Sequence, residues 1–84
     1  MMERAVMVAI LTVLDQLCGV SIEERILMNE VSANCAQRPA PELIRENLKA
    51  ARENGWIAQT KGLLNETRWH RTTAGQAALR DLQG

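Results

Sequence analysis

The sequence predicts a small, mostly α domain with one β-hairpin (α+β), in the order three helices, a two-stranded hairpin and a C-terminal helix. Three observations lead to this prediction. Helical apolar periodicity occurs in two segments before residue 55, and a helix-capping pattern lies between them. Two short runs rich in Thr, Trp and Ile then replace it. A chain of 84 residues can bury only one compact core, so we expect a single domain over residues 1–84.

The composition is typical of a soluble globular domain, with 46% hydrophobic and 24% charged residues. Phe and Tyr are absent, so Trp56 and Trp69 are expected to anchor the core. The two cysteines, Cys18 and Cys35, and the single His70 have no metal-binding spacing. We therefore expect buried, reduced thiols, a cytoplasmic location, and neither metal nor cofactor. No nucleophile–base pair or phosphate-binding loop is present, so the chain is not expected to be an enzyme.

The first helix is predicted over residues 2–17, which contain neither Gly nor Pro. Its apolar residues cover most of the circumference, as in a buried helix, and we expect a second copy of the chain to cover one face in a homodimer. The apolar run is as long as the core of a signal peptide, but Glu3 and the lack of a small-residue cleavage site argue against export. It is also too short to span a bilayer, so no membrane partner is expected.

The second helix is predicted from its capping pattern. Cys18 and Gly19 end the first helix, because glycine readily adopts the left-handed conformation that closes helices. Ser21 and Glu24 then match the S-x-x-E capping box, in which each side chain satisfies a free backbone N–H at the helix start. The helix is expected to continue to about Asn34.

The third helix follows a turn. Both prolines lie within residues 36–41, and the residue before a proline is disfavoured in helical conformation. Pro41 suits the first position of a helix, where its missing N–H costs nothing. The helix is expected to end at Gly55. Its inward stripe consists of Ile44, Leu48 and Ala51.

A hairpin is predicted from residues 56–60 and 67–72, with a turn between residues 63 and 66. Thr72 then suits the cap of a last helix over residues 73–82. Leu63 and Leu64 lie near the hairpin tip, where polar residues are expected. They either pack inward as strand residues or form an exposed contact for a protein partner, and the sequence leaves both alternatives open.

This order of elements is that of a winged helix-turn-helix. The spacing in the second half resembles the MarR and PadR classes of bacterial transcriptional regulators, over roughly residues 21 to 82. It is carried by Leu48-x-x-Ala51-x-x-x-Gly55-Trp56-Ile57 and by Trp69-x-x-Thr72-x-x-Gly75-x-x-Ala78-Leu79. The resemblance implies a DNA-binding regulator. The chain departs from the pattern at Arg71, where those families usually have leucine, and at Leu63-Leu64, where the wing is usually basic or glycine-rich.

The charge distribution is consistent with double-stranded DNA as the partner, although the formal net charge is zero. Residues 1–35 contain two basic and five acidic side chains, net −3, whereas residues 36–71 contain seven basic and four acidic ones, net +3. We expect the helix at 41–54 to enter the major groove, with Arg45 reaching guanine and Lys49 a phosphate or guanine. The predicted DNA-binding residues are Arg38, Glu42, Arg45, Glu46, Lys49, Arg52, Lys61, Arg68 and Arg71.

Two alternatives accompany this hypothesis. The charges on the third helix also fit the solvated face of an ordinary helix, with acids and bases paired three residues apart. The zero net charge, the glutamates of that helix and the Leu63-Leu64 pair also fit a winged helix that binds a protein and not DNA.

Overall fold

A computed structural model describes residues 3–83 of the chain as four helices and a three-stranded antiparallel sheet. The predicted order of helices and hairpin is present, in an α+β fold. Met2, where the first helix was expected to begin, lies outside the described residues. The elements are α1 (Arg4–Gln16), β1 (Ile22–Glu23), α2 (Glu24–Ala33), α3 (Pro41–Glu53), β2 (Ile57–Lys61), β3 (Thr67–Arg71) and α4 (Thr73–Gln83).

Helix α1 lies at the centre of the fold and packs against α2, α3, α4 and β3. This position explains why apolar residues occupy most of its circumference, because neighbours from the same chain cover several of its faces. The buried residues of α1 are Val6, Met7, Ala9, Ile10, Leu11, Val13 and Leu14. The excess of apolar residues that suggested a homodimer through this helix is thus buried within one chain. A homodimer remains a prediction.

The sheet has a third strand that the sequence did not predict. Its strand order is β1-β3-β2, and β1 pairs with β3 through Ile22 opposite Trp69 and Glu23 opposite Arg68. The prediction of a two-stranded wing is therefore corrected, because the hairpin belongs to a three-stranded sheet. Because residues 22 and 23 are extended in this ladder, α2 begins only at residue 24.

The predicted capping box at the start of α2 is wrong. The residue that precedes the helix is Glu23, and it makes no side-chain capping hydrogen bond. Ser21 instead accepts a hydrogen bond from Arg68 Nε at 2.9 Å, and Glu24 Oε1 accepts one from Trp69 Nε1 at 3.1 Å. Both side chains thus hold β3 and do not close the end of α2.

Other helix ends follow the predictions. Cys18 and Gly19 have positive φ angles of 52° and 89° after α1, and Gly55 has a φ of 76° after α3. Thr72 Oγ1 accepts a hydrogen bond from the backbone N–H of Gly75 at 3.0 Å, which is the expected cap of α4. These signals act over three or four residues, so no distant contact is needed for them.

Trp69 is buried in the core as predicted, and Trp56 is half-buried against it. The expectation of burial is wrong at Cys18, which is exposed just after the end of α1, whereas Cys35 is half-buried. Burial, with a smaller contribution from the negative charge of Glu3, raises the pKa of the Cys35 thiol. A raised pKa lowers the thiolate fraction at neutral pH, so Cys35 has the character of a packing residue. None of the described helices is long and apolar enough to cross a membrane.

Candidate nucleic-acid interface

Helix α3 is fixed to the core by its inward face. Ile44, Leu48 and Ala51 are buried, as their helical spacing predicts. Asn47 is also fully buried, and its Nδ2 donates to the Leu43 carbonyl at 2.8 Å. Its Oδ1 accepts the backbone N–H of Glu3, also at 2.8 Å, which ties α3 to the start of α1. The helix is therefore held by both apolar packing and a satisfied buried amide.

The opposite face of α3 is exposed and carries the predicted residues. A helix turns about 100° per residue, so positions that alternate with the buried stripe must face outward. Every α3 residue predicted to bind DNA is exposed: Glu42, Arg45, Glu46, Lys49 and Arg52. This face has mixed charge. The cations are spaced by three or four residues, so they lie along one side of the helix.

The hairpin is joined to the end of α3 by a hydrogen bond. Arg52 Nη1 donates to Gln59 Oε1 of β2 at 2.6 Å. Lys61, two residues further along β2, has the same side-chain direction as Gln59, because side chains alternate along a strand. Lys61 is exposed, and its Nζ donates to Thr67 Oγ1 at 3.0 Å. The outer face of α3 and this side of the hairpin therefore form one surface.

Arg38 lies in the connection of residues 34–40 between α2 and α3 and is exposed. It lines a groove of about 400 Å³ between the two helices, together with Met28, Pro41 and Ile44. The connection is longer than the three or four residues usual in a helix-turn-helix. It places a cation near the start of α3, at the opposite end of that helix from Arg52.

Arg68 and Arg71, which were also predicted to bind DNA, make hydrogen bonds and ion pairs within the protein. Arg68 donates to the hydroxyl and the carbonyl oxygen of Ser21, both at 2.9 Å, and pairs with Glu66 at 3.3 Å. Arg71 pairs with Asp15 of α1. Both arginines are half-buried and hold β3 against its neighbours, so we leave them out of the candidate interface. The interface that remains consists of Arg38, Glu42, Arg45, Glu46, Lys49, Arg52, Gln59 and Lys61.

Leu63 and Leu64 lie at the hairpin tip with fractional exposures of 105% and 90%. Of the two alternatives left open by the sequence, inward packing is wrong and exposure is confirmed. Hydrogen bonds shape the backbone beneath them: Gly62 N–H donates to the Glu66 carbonyl at 2.9 Å, and Leu64 N–H donates to Glu66 Oε1 at 3.0 Å. The backbone N–H of Glu66, that of Leu64 and the Arg68 guanidinium together lower the pKa of the Glu66 carboxyl.

Two residues of this region were not identified from the sequence. Gln59 is one, although the predicted strand of residues 56–60 already placed it on the same side as Ile57. Asn47 is the other, and its position within the apolar stripe of α3 was the available signal. Comparison of the chain with protein-family models, with curated proteins and with solved structures found no match.

Proposed function

We propose that this chain binds double-stranded DNA as a small winged helix-turn-helix regulator, with α3 in the major groove and the β2–β3 hairpin as the wing. One observation carries the proposal: Arg45 and Lys49 are exposed on α3, and the Arg52–Gln59 hydrogen bond joins that face to the hairpin and Lys61. A helix that presents cations and polar side chains fits the major groove, whose width of about 12 Å admits an α-helix. An adjoining hairpin would then meet the next stretch of backbone.

The residues of the interface have distinct roles in this proposal. Arg45 has the length and fork geometry for the O6 and N7 atoms of guanine. Lys49, Arg38 and Lys61 neutralise phosphates and set the position of α3 on the duplex. Glu42 and Glu46 oppose phosphates, so one copy should bind weakly. Pairing of two copies on neighbouring half-sites is the usual way in which such domains gain affinity.

Fluorescence anisotropy with a labelled generic duplex, at about 50 and 200 mM salt, tests the proposal. We expect the affinity to fall steeply as salt rises. Lys49→Ala should weaken binding at both salt concentrations and reduce the slope of log affinity against log salt by about 1, because one phosphate contact is lost. Arg45→Ala should also weaken binding, because it removes a second cation from the same face.

Arg80→Ala is the matched control, because it removes one exposed positive charge from α4 and leaves α3 intact. Its binding should stay close to that of the unaltered chain. An equal loss in Arg80→Ala and Lys49→Ala would show that net charge, and not α3, governs binding. Failure of the folded chain to bind duplex at about 50 mM salt would overturn the proposal.

A second candidate function is recognition of a protein partner by the same fold. The observation that favours it is the full exposure of Leu63 and Leu64, since adjacent exposed apolar residues often mark a contact site. The two functions differ in the anisotropy experiment. A folded chain without salt-dependent affinity for DNA is the result that the protein-binding function predicts.

A further inference from the structure

The tip of the β2–β3 hairpin is a compact turn that presents two leucines to solvent. Besides the bonds from Gly62 and Leu64 to Glu66, the backbone N–H of Asn65 donates to the Gly62 carbonyl at 3.0 Å. A Cβ at Gly62 would lie 2.0 Å from Glu66 Oε2, so the carboxylate occupies the space that a side chain there would need. The turn is thus closed by its own polar groups, and Leu63 and Leu64 are its only fully outward apolar side chains among the residues described.

The charge around this tip is positive. Lys61 is exposed at the end of β2. The one acidic side chain of the turn, Glu66, accepts the Leu64 N–H and pairs with Arg68, so its negative charge is compensated locally. An apolar pair beside an exposed cation matches a target that combines an apolar interior with an anionic border. Stacked base pairs between two phosphate backbones have this chemistry.

We infer that Leu63 and Leu64 form an apolar wedge that enters a base step from the minor groove and bends the duplex. This inference rests on the proposed function, because α3 must first dock in the major groove. The Arg52–Gln59 hydrogen bond ties the hairpin to α3, so the tip is carried to the adjoining groove as α3 docks. Leucine is among the side chains that unstack base steps in this way and kink the duplex by about 20–90°.

Ring closure of a duplex of about 100 base pairs tests the wedge, because this length is below the persistence length of about 150 base pairs and closes poorly without a bend. The duplex is incubated with the protein and DNA ligase at about 50 mM salt, at protein concentrations that anisotropy shows to give equal occupancy. The unaltered chain should raise the yield of monomeric circles about tenfold or more. The double variant Leu63→Ala/Leu64→Ala should bind with reduced affinity and give no increase.

Val20→Ala is the control, because Val20 is an exposed aliphatic residue, 65% accessible, outside the hairpin and α3. It should raise the circle yield as the unaltered chain does. Both leucines are exposed, so the double variant should keep its helical circular dichroism. If the unaltered chain occupies the DNA but gives no extra circles, the wedge is overturned and DNA binding stands. The same conclusion follows if the double variant raises the circle yield as much as the unaltered chain. Absence of any DNA binding overturns the wedge together with the proposed function.

Discussion

Trp69→Ala is expected to lower the free energy of unfolding by about 3–5 kcal/mol, the usual cost of removing a buried large aromatic side chain. Trp69 is 4% exposed and lies in β3, the central strand, opposite Ile22 of β1 and Gln59 of β2. Its removal would leave a cavity between the sheet and α1. An 84-residue domain has a stability of about 4–13 kcal/mol, so the loss is a large share of the total.

Urea denaturation followed by far-ultraviolet circular dichroism measures this loss, since a fluorescence signal would change with the tryptophan itself. Trp69→Phe is the matched variant. This variant keeps much of the aromatic volume but lacks the Nε1–H that Trp69 donates to Glu24 Oε1. A smaller loss of about 1–2 kcal/mol is therefore expected. A loss below about 1 kcal/mol for Trp69→Ala would contradict the central position of this residue.

The outer face of α3 could be predicted from the sequence because helical periodicity is local. Once Ile44 and Leu48 are taken as inward, the exposure of Arg45 and Lys49 follows from the rotation per residue. The cap at Thr72 is also local, since its acceptor and donor lie three residues apart. Each of these predictions uses information that is contained within about four residues of the chain.

The partners of Ser21, Arg68 and Arg71 could not be predicted in this way. Arg68 is 47 residues from Ser21, and Arg71 is 56 residues from Asp15, so these contacts exist only after the sheet has formed. The S-x-x-E pattern at Ser21 is a valid local signal for a helix start, but pairing with β3 overrides it. Long-range strand pairing thus accounts for the missed β1, and contacts between distant elements account for the partners of the two arginines.

The surface that buries α1 also could not be predicted from the sequence. Hydrophobicity around the whole circumference of a helix predicts burial but does not say which surface provides it. A second copy of the chain and the other helices of the same chain are equivalent in this respect. In the structure, α1 packs against α2, α3 and α4 of the same chain.

Gly75→Ala is expected to destabilise the domain by about 3 kcal/mol, although helix propensity alone predicts a gain of about 1 kcal/mol inside α4. A Cβ built at Gly75 would lie 1.9 Å from the carbonyl oxygen of Trp56 and 2.9 Å from its carbonyl carbon. These are backbone atoms, so they cannot move aside as a flexible side chain would. The same carbonyl accepts the N–H of Thr72 at 3.1 Å, and its displacement would weaken that bond.

Ala77→Gly provides the comparison, because Ala77 is exposed in the same helix. This change should cost about 1 kcal/mol through helix propensity. Both variants are measured by thermal and urea unfolding beside the unaltered chain. Since Trp56 leads from α3 into β2, the close approach at Gly75 also fixes where the hairpin begins relative to the proposed DNA-reading helix. A Gly75→Ala variant as stable as the unaltered chain, or more stable, would show that α4 does not approach Trp56 this closely in solution.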